Sequence, residues 1–273
     1  MEKENKGVIY CATGNKYVNE AIISSRSLKS IDSNLSITLF TSKKSINNFK
    51  NINSHFNEIF FLPNPQNDFI DKINAMLNTP YEETLFLDTD TYVLEKIEDL
   101  FILLKRFELA AAHAPIRISP LKTNNWMSYS LDDIPTSFPE FNTGVIAYRK
   151  NQNCLNFIKS WHSNFIKNKK DNIRIPDQPS FRETLYNGHI KFTVIPPEYN
   201  CRINMLPSIY NKVKILHGRS DNFEEIREEI NKSKNLRVYV NGIGILQKYS
   251  FIIKVIRKFK TYESSILNLF KHK

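Results

Sequence analysis

The chain has 273 residues, of which 41% are hydrophobic and 12% aromatic. That is enough to bury a sizeable core, in one large domain with an appendage or in two small domains. Lysine and arginine (38) outnumber aspartate and glutamate (28), and the net charge of +10 favours anionic partners such as nucleotides, phospholipid surfaces or nucleic acids. No window approaches the roughly 18 uninterrupted apolar residues that a membrane-spanning helix needs.

The three cysteines lie far apart in the sequence, at positions 11, 154 and 201. Their odd number and distant spacing indicate neither a disulfide framework nor a zinc site, and they favour a reduced compartment. The charged N-terminal residues lead into a strand-length apolar run without the pattern of a signal peptide. We therefore expect a cytoplasmic protein.

Strand-like and helix-like patterns alternate along the chain. The predicted strands are 8–12, 37–40, 58–62 and 84–87, with further strand-like apolar runs at 109–112, 144–148 and 213–216. The predicted helices are 17–28, 71–77, 97–107 and 180–186. Strands separated by helices are typical of an α/β fold with a mostly parallel central sheet. Residues 115–139 show no periodicity, as in functional lids or disordered loops.

Two carboxylates, Asp88 and Asp90, directly follow the apolar strand at 84–87. A short apolar run predicts a strand buried on both faces, so its end lies at the carboxyl edge where open α/β sheets bind ligands. Two oxygen donors on one short segment suit a divalent cation, and through it a diphosphate. A lone D-x-D pair has a structural alternative, which is to cap a turn.

Two polar segments border other predicted strands. Thr13-Gly14-Asn15-Lys16-Tyr17 follows the first strand, where its donors and its aromatic ring can meet a base. The alternative is an ordinary strand-to-helix turn with Tyr17 in the core. Asn142 and Thr143 precede the strand at 144–148, where Gly144 allows close approach of the backbone.

A carboxyl–amide pair and a histidine complete the set of candidate site residues. Asp177 and Gln178 open the predicted helix at 180–186, where the ordinary function of an aspartate is to cap the helix N-terminus. His217 follows the strand-like run 213–216 and is a candidate metal ligand, although a single histidine is more often a surface or core residue.

In their order over residues 7–220, these motifs resemble the glycosyltransferases of the GT-A fold, in particular family 8 and the glycogenin-like enzymes. The matching elements, in order, are T-G-N-K-Y at 13–17, S-L-K at 27–29, Lys72, L-F-L-D-T-D-T-Y-V at 85–93, F-N-T-G-V at 141–145, D-Q at 177–178, P-E-Y-N at 197–200 and His217. The sequence departs from the family in two places. Pro179 follows D-Q, and His217-Gly218-Arg219-Ser220 lacks the lysine and tryptophan of the family's H-x-x-G-x-x-K-P-W.

The resemblance implies an architecture. Residues 1–220 would form a GT-A (Rossmann-like) domain that binds a nucleotide sugar and carries the catalytic residues, with a mostly parallel sheet flanked by helices. Residues 221–273 would form a helical, basic, amphipathic C-terminal appendage.

The resemblance also implies a reaction and a site. A sugar would move from a nucleoside-diphosphate donor, with a preference for uridine and for retention of configuration, to a glycan or lipid-linked acceptor, as in surface-polysaccharide synthesis. Asp88, Asp90 and His217 would hold Mn²⁺ or Mg²⁺, and Asp177 and Gln178 would act at the anomeric carbon. The donor-binding residues would be Ala12, Thr13, Asn15, Tyr17, Lys72, Asp88, Thr89, Asn142, Thr143, Gly144, Gly218 and Arg219.

Two other classes of protein fit parts of the sequence. In haloacid-dehalogenase-like phosphohydrolases, Asp88 and Asp90 would be nucleophile and general acid, but three candidate strands precede them here. The downstream acidic pair of that class would have to be Asp132-Asp133, in the aperiodic loop. A non-catalytic basic module would suit the charge but leave the acidic pair without a role, and no nucleic-acid-binding motif is present, so we expect no nucleic-acid partner.

The C-terminal 245–273 segment combines apolar residues at near-helical spacing with basic residues. Lys248, Lys254, Arg257, Lys258, Lys260, Lys271 and Lys273 are accompanied by a single acid, Glu263. A basic amphipathic helix can bind an anionic membrane surface from the cytoplasmic side. It can equally pack on its own domain or on a partner subunit, which leaves oligomerisation open.

We expect the full-length protein to sediment with anionic liposomes at low salt and to be released at high salt. Each Lys or Arg near such a surface contributes about 1 kcal/mol, and salt screens that attraction. The control is a chain truncated before Gly244. Equal, weak sedimentation of both proteins would identify the segment as a packing or dimerisation element.

Overall fold

The structure is a computed structural model that describes residues 5–114, 134–169, 175–240 and 242–246. The strands in chain order are β1 (Lys6–Ala12), β2 (Ser36–Thr41), β3 (Glu58–Phe61), β4 (Glu83–Leu87), β5 (Thr91–Val93), β6 (Leu109–His113), β7 (Phe141–Arg149), β8 (Phe192–Ile195), β9 (Cys201–Arg202), β10 (Ser208–Ile209), β11 (Ile215–His217), β12 (Arg237–Val240) and β13 (Gly244–Leu246). The α-helices are α1 (Asn15–Ile31), α2 (Lys43–Ile46), α3 (Phe69–Leu77), α4 (Asp99–Leu103), α5 (Gln152–Asn168), α6 (Gln178–Asn187) and α7 (Phe223–Ile230).

The central sheet has the strand order β3-β2-β1-β4-β7-β6-β8. All its pairings are parallel except those of β7, which is antiparallel to both β4 and β6. The predicted mostly parallel α/β sheet is therefore confirmed. Two small sheets, β5-β11-β9 and β10-β12-β13, complete the strand pairing of the described residues.

Both faces of the central sheet are buried, because alternate residues of each strand enter different hydrophobic clusters. On β1, Val8 and Tyr10 join α1 and α4 on one face, while Ile9 joins α3, α5 and α6 on the other. Burial on both faces explains why these strands are continuous apolar runs in the sequence. The carboxyl ends of β1 and β4 are therefore neighbours on a rigid edge, where the polar turns after them come together.

Some predicted boundaries were wrong. The helix predicted at 97–107 is only Asp99–Leu103, because the backbone beyond it forms tighter i→i−3 hydrogen bonds, such as Lys105 N–H to Ile102 O (3.1 Å). Helix α1 begins at Asn15, so this residue belongs to the helix and not to the preceding turn. Helix α5 was not predicted, although its buried residues have helical spacing.

Two polar motifs lie inside strands and not beside them. Asn142 and Thr143 belong to β7, where the register against β6 shifts between Ala111 and Ala112. This bulge keeps the polar pair in the sheet while it changes the direction of the side chains. His217 is the last residue of β11, paired with Thr91 of β5.

The proposed appendage is only partly described. Helix α7 lies in it, and β12 and β13 are strands where the sequence analysis expected a helical unit. Because β12 pairs with β10, the small sheet crosses the predicted boundary at residue 220, and that boundary stays a prediction. The basic amphipathic helix predicted after Leu246, and the pair at positions 132 and 133, lie outside the described residues.

Cys11, Cys154 and Cys201 are free thiols, as their spacing indicated. Within the part of the chain that the structure describes, no helix is both long enough and apolar enough to cross a bilayer.

The strand β13 changes the choice of control for the liposome experiment. A truncation after Leu246 retains the pairing of β13 with β12 and is therefore a better control than a truncation before Gly244.

Candidate functional site

The turn between β4 and β5 presents Asp88 and Asp90 at the carboxyl edge of the sheet. Thr91 holds this turn, since its Oγ1 donates to the Asp88 carbonyl oxygen at 2.8 Å. Thr91 Oγ1 also lies 2.8 Å from Ser24 Oγ, which in turn lies 2.9 Å from the Tyr10 hydroxyl. A buried chain of hydrogen-bonded hydroxyl groups thus connects the acidic turn to α1 and β1.

His217 is brought to the same turn by the antiparallel pairing of β11 with β5. Its Nε2 lies 3.4 Å from Asp90 Oδ1 and 3.7 Å from Asp88 Oδ2. One ligand atom from each of the three residues lies within 4.8 Å of the others. The structure therefore brings together the three metal ligands expected from the sequence.

The other ring nitrogen of His217 is used by the protein. Asn200 Oδ1 accepts from His217 Nδ1 at 2.6 Å, and Asn200 Nδ2 donates to Asn142 Oδ1 at 3.2 Å. Asn142 Oδ1 also accepts from the Gly144 backbone N–H at 3.1 Å. With Nδ1 directed to Asn200, Nε2 is the ring nitrogen that faces the two carboxylates, which is the arrangement of a metal-ligating histidine.

Gly144 is required by the closeness of this packing. A Cβ atom added there would lie 2.2 Å from His217 Cε1 and 2.7 Å from Asp88 Oδ2. The glycine predicted to allow close approach of the backbone therefore makes room for the ligands themselves.

Lys72, on α3, connects the acidic turn to the helix that carries the D-Q motif. Its buried Nζ lies 3.3 Å from Asp88 Oδ1 and 3.0 Å from Asp177 Oδ2, and it donates to Thr143 Oγ1 at 3.0 Å. The two predicted parts of the site, Asp88 and Asp177, thus share one buried ammonium group.

Asp177 does not cap α6, although it stands at the N-cap position. Its side chain makes no capping hydrogen bond, and its buried carboxylate is directed to Lys72. Its carbonyl oxygen accepts from Trp161 Nε1 (3.1 Å) and Ser180 Oγ (2.9 Å), which fixes the backbone. Gln178, partly exposed, is the first residue of the helix.

The charges in the site move the pKa values in different directions. Burial raises the pKa of Asp88, against the influence of Lys72 and His217. Burial also raises the pKa of Asp90, but His217 and Arg219 outweigh it and hold this pKa well below its usual range. Burial lowers the pKa of Lys72, yet Asp177 and Asp88 raise it above the ordinary lysine value. The site thus stabilises a charged lysine between carboxylates.

Arg219 and Thr89 lie on the outer rim of the site. Gly218, at φ 127°, donates its N–H to the Asp90 carbonyl at 2.9 Å and turns the chain so that Arg219 follows beside Asp90. Arg219 Nη1 lies 3.6 Å from Asp90 Oδ2, and its Nε donates to Glu20 Oε1 at 2.7 Å. Thr89 Oγ1 donates to Glu20 Oε2 at 2.9 Å. Glu20 was not among the predicted site residues, because the sequence shows only a polar residue within the predicted helix 17–28.

Part of the turn that follows β1 has a structural role. Thr13 is buried and donates from Oγ1 to Asp71 Oδ2 at 2.9 Å. Asp71, on α3, also accepts from the backbone N–H groups of Gln66 and Asn67, each at 2.8 Å. The Thr13 hydroxyl therefore holds the loop before α3, and a contact between Thr13 and the donor stays a prediction.

The remaining candidate donor-binding residues lie beside that turn. Ala12 ends β1, and its carbonyl accepts from Thr41 Oγ1 at 2.7 Å. Asn15 is exposed on the first turn of α1, and Tyr17 is partly buried against the core. The pKa of Arg219, which follows Gly218, is raised chiefly by its hydrogen bond to Glu20, against the opposing effect of burial.

The solved structures that are similar to this chain include three glycosyltransferases. The glycosyltransferase GlyE of Streptococcus pneumoniae TIGR4 is 17% identical at a TM-score of 0.58, and the match covers 85% of this chain and 61% of that chain. Mouse xyloside xylosyltransferase 1 is 13% identical at a TM-score of 0.54, and the match covers 79% of this chain and 98% of that chain. The bifunctional glycosyltransferase WbbM is 17% identical at a TM-score of 0.52, and the match covers 81% of this chain and 46% of that chain.

These similarities confirm the predicted GT-A glycosyltransferase fold. The chain spans about three fifths of the length of GlyE. No protein-family model matches the sequence, and no curated protein matches it either. The similar structures do not favour the dehalogenase-like alternative, and β4, the strand before Asp88, is the fourth in the chain and lies inside the sheet.

Gly144→Ala should weaken Mn²⁺ binding by about tenfold or more, because the added methyl group displaces His217 and Asp88. The overlap should also lower the free energy of unfolding by about 1–3 kcal/mol. Paramagnetic resonance of free Mn²⁺ and urea unfolding measure the two effects. Ile146→Val, in the same strand, is the control, since it removes one buried methylene at about 0.5–1.5 kcal/mol and should leave Mn²⁺ binding unchanged. Wild-type Mn²⁺ affinity in Gly144→Ala would contradict the assigned geometry.

Proposed function

We propose that the protein is a metal-dependent glycosyltransferase that moves a sugar from a nucleoside-diphosphate donor to a glycan or lipid-linked acceptor. One observation carries this proposal: in a glycosyltransferase fold, Asp88, Asp90 and the Nε2 of a correctly oriented His217 converge at the carboxyl edge of the sheet. Two carboxylates at such distances repel one another, and a divalent cation would relieve that repulsion and take Nε2 of His217 as a third ligand.

The donor set fits Mn²⁺ or Mg²⁺. A mixed set of carboxylate oxygens and one imidazole suits Mn²⁺ better, because Mg²⁺ prefers oxygen ligands and keeps more of its water. When bound, the ion supplies Lewis-acid stabilisation of negative charge on the departing nucleoside diphosphate. Asp88, Asp90 and His217 would hold it, and Asn200 would keep His217 in the ligating orientation.

The residues around these ligands would bind and orient the donor. Tyr17, on the first turn of α1, offers an aromatic face for a base, and the family resemblance favours uridine. Arg219 offers a half-exposed guanidinium beside Asp90, where it can hydrogen-bond phosphate oxygens. Lys72 is held between Asp88 and Asp177 and adds a fixed positive charge on the inner side of the site.

Asp177 is the candidate for the chemical step. It is buried, it lies beside the charged Lys72, and its backbone is fixed by hydrogen bonds from α5 and α6. A carboxylate so placed can stabilise positive charge that develops at the anomeric carbon, with Gln178 beside it. We propose retention of configuration at that carbon on the strength of the family resemblance.

The cellular setting that we propose rests on the sequence alone. The cysteine usage favours the cytoplasm, and the basic segment after Leu246 favours peripheral attachment to the inner face of an anionic membrane. A lipid-linked acceptor in surface-polysaccharide synthesis would be reached there.

Asp90→Asn should abolish metal-supported release of nucleoside diphosphate from nucleotide sugars, because it removes a charged ligand. The assay incubates the purified protein with Mn²⁺ and a panel of nucleotide sugars and measures slow hydrolytic release for each. Asp32→Asn, at the far end of α1, is the matched control and should behave as wild type. Full activity of Asp90→Asn, or of the wild type in excess chelator, would disprove the proposed metal dependence.

Asp177→Asn should lower kcat far more than it raises the donor KM, as expected when an interaction is made mainly in the transition state. Donor binding measured by calorimetry should stay within a few-fold of wild type. Because the variant leaves Lys72 without one of its partners, thermal unfolding is measured in parallel. A near-normal kcat with a large rise in donor KM would assign Asp177 to donor binding instead.

A further inference from the structure

Glu20, on α1, connects two side chains that the sequence places far apart. Its Oε2 accepts from Thr89, the middle residue of the acidic turn, at 2.9 Å. Its Oε1 accepts from Arg219 Nε at 2.7 Å, and Arg219 Nη2 approaches Oε2 at 3.3 Å. The Glu20 side chain is 14% exposed and that of Arg219 is 52% exposed, so the carboxylate is the more firmly held partner.

Arg219 has a second carboxylate within reach. Its Nη1 lies 3.6 Å from Asp90 Oδ2, while the other oxygen of Asp90 faces His217 Nε2 at 3.4 Å. The guanidinium and a metal ion would therefore compete for Asp90. The long side chain of a half-exposed arginine moves easily. The position of the Arg219 guanidinium therefore depends on the group that holds it, which is Glu20.

We propose that Glu20 is a positioning residue, which holds Arg219 on the outer rim so that Asp90 stays available as a metal ligand and the guanidinium stays available for the donor diphosphate. This inference rests on the proposed function, since it assumes that Asp88, Asp90 and His217 hold a divalent cation. It assigns a function to a helix residue that is not itself a metal ligand.

The sign of the effect follows from two contributions that act in the same direction. Replacing Glu20 by glutamine removes a negative charge close to the cation. It also releases the guanidinium to pair more closely with Asp90 and to neutralise a ligand. Both changes weaken metal binding. Removing Arg219 has the opposite sign, because a positive charge leaves the neighbourhood of the cation.

The experiment is a titration of the full-length protein with Mn²⁺ alone, with free Mn²⁺ followed by paramagnetic resonance. Glu20→Gln should bind Mn²⁺ about tenfold more weakly than wild type, the lower end of the range for supporting residues of metal sites. Arg219→Ala should bind at least as tightly as wild type. The double variant should regain most of the affinity lost in Glu20→Gln. Glu82→Gln, an exposed residue ahead of β4, is the matched control and should be unchanged.

The recovery in the double variant separates positioning from a structural role, because removing Arg219 would not repair a damaged helix. Wild-type affinity in Glu20→Gln, or a double variant as weak as Glu20→Gln, would overturn the inference. Asp90→Asn is titrated alongside. If it binds Mn²⁺ like wild type, the proposed metal site and this inference both fail. If it loses Mn²⁺ while Glu20→Gln does not, the role of Glu20 alone is overturned.

Discussion

The hydrogen bond from His217 Nδ1 to Asn200 determines what the candidate site can do, because it decides which ring nitrogen faces the two carboxylates. The bond is buried and is continued through Asn142 to the backbone of β7, so the imidazole orientation is anchored in the central sheet. Gly144 provides the space for the ring at the same level. The orientation of His217, on the three-residue strand β11, is thus set by the rigid central sheet beside it.

Charge balance is the second constraint on the site. Asp88, Asp90 and Asp177 converge in the site, and the buried Lys72 compensates for part of their negative charge from the inner side. On the outer side, Arg219 is shared between Asp90 and Glu20. The opposite pKa shifts of the two ligand carboxylates follow from this asymmetry, since burial dominates at Asp88 whereas His217 and Arg219 dominate at Asp90.

The sequence predicted the parts of this structure that leave a periodic or terminal signal. Strands such as β1 and β4 are apolar because both of their faces are buried, and ligands such as Asp88 follow them directly. The orientation of Asp177 could not be predicted from the sequence. An aspartate at this position can either cap the helix N-terminus or pair with Lys72, and the sequence is the same in both cases. Glu20 gave no signal, since its function depends on contacts with residues 69 and 199 positions away along the chain. The strands β9 and β10, two residues each, are too short for any periodicity.

A crystal structure of the protein grown with Mn²⁺ and uridine diphosphate, with anomalous data collected at the manganese absorption edge, tests the central claim most directly. We expect one anomalous peak within bonding distance of a carboxylate oxygen of Asp88, a carboxylate oxygen of Asp90 and Nε2 of His217, with the diphosphate completing the coordination. Bound nucleotide with the anomalous peak elsewhere, or with His217 Nε2 turned away from the ion, would contradict it.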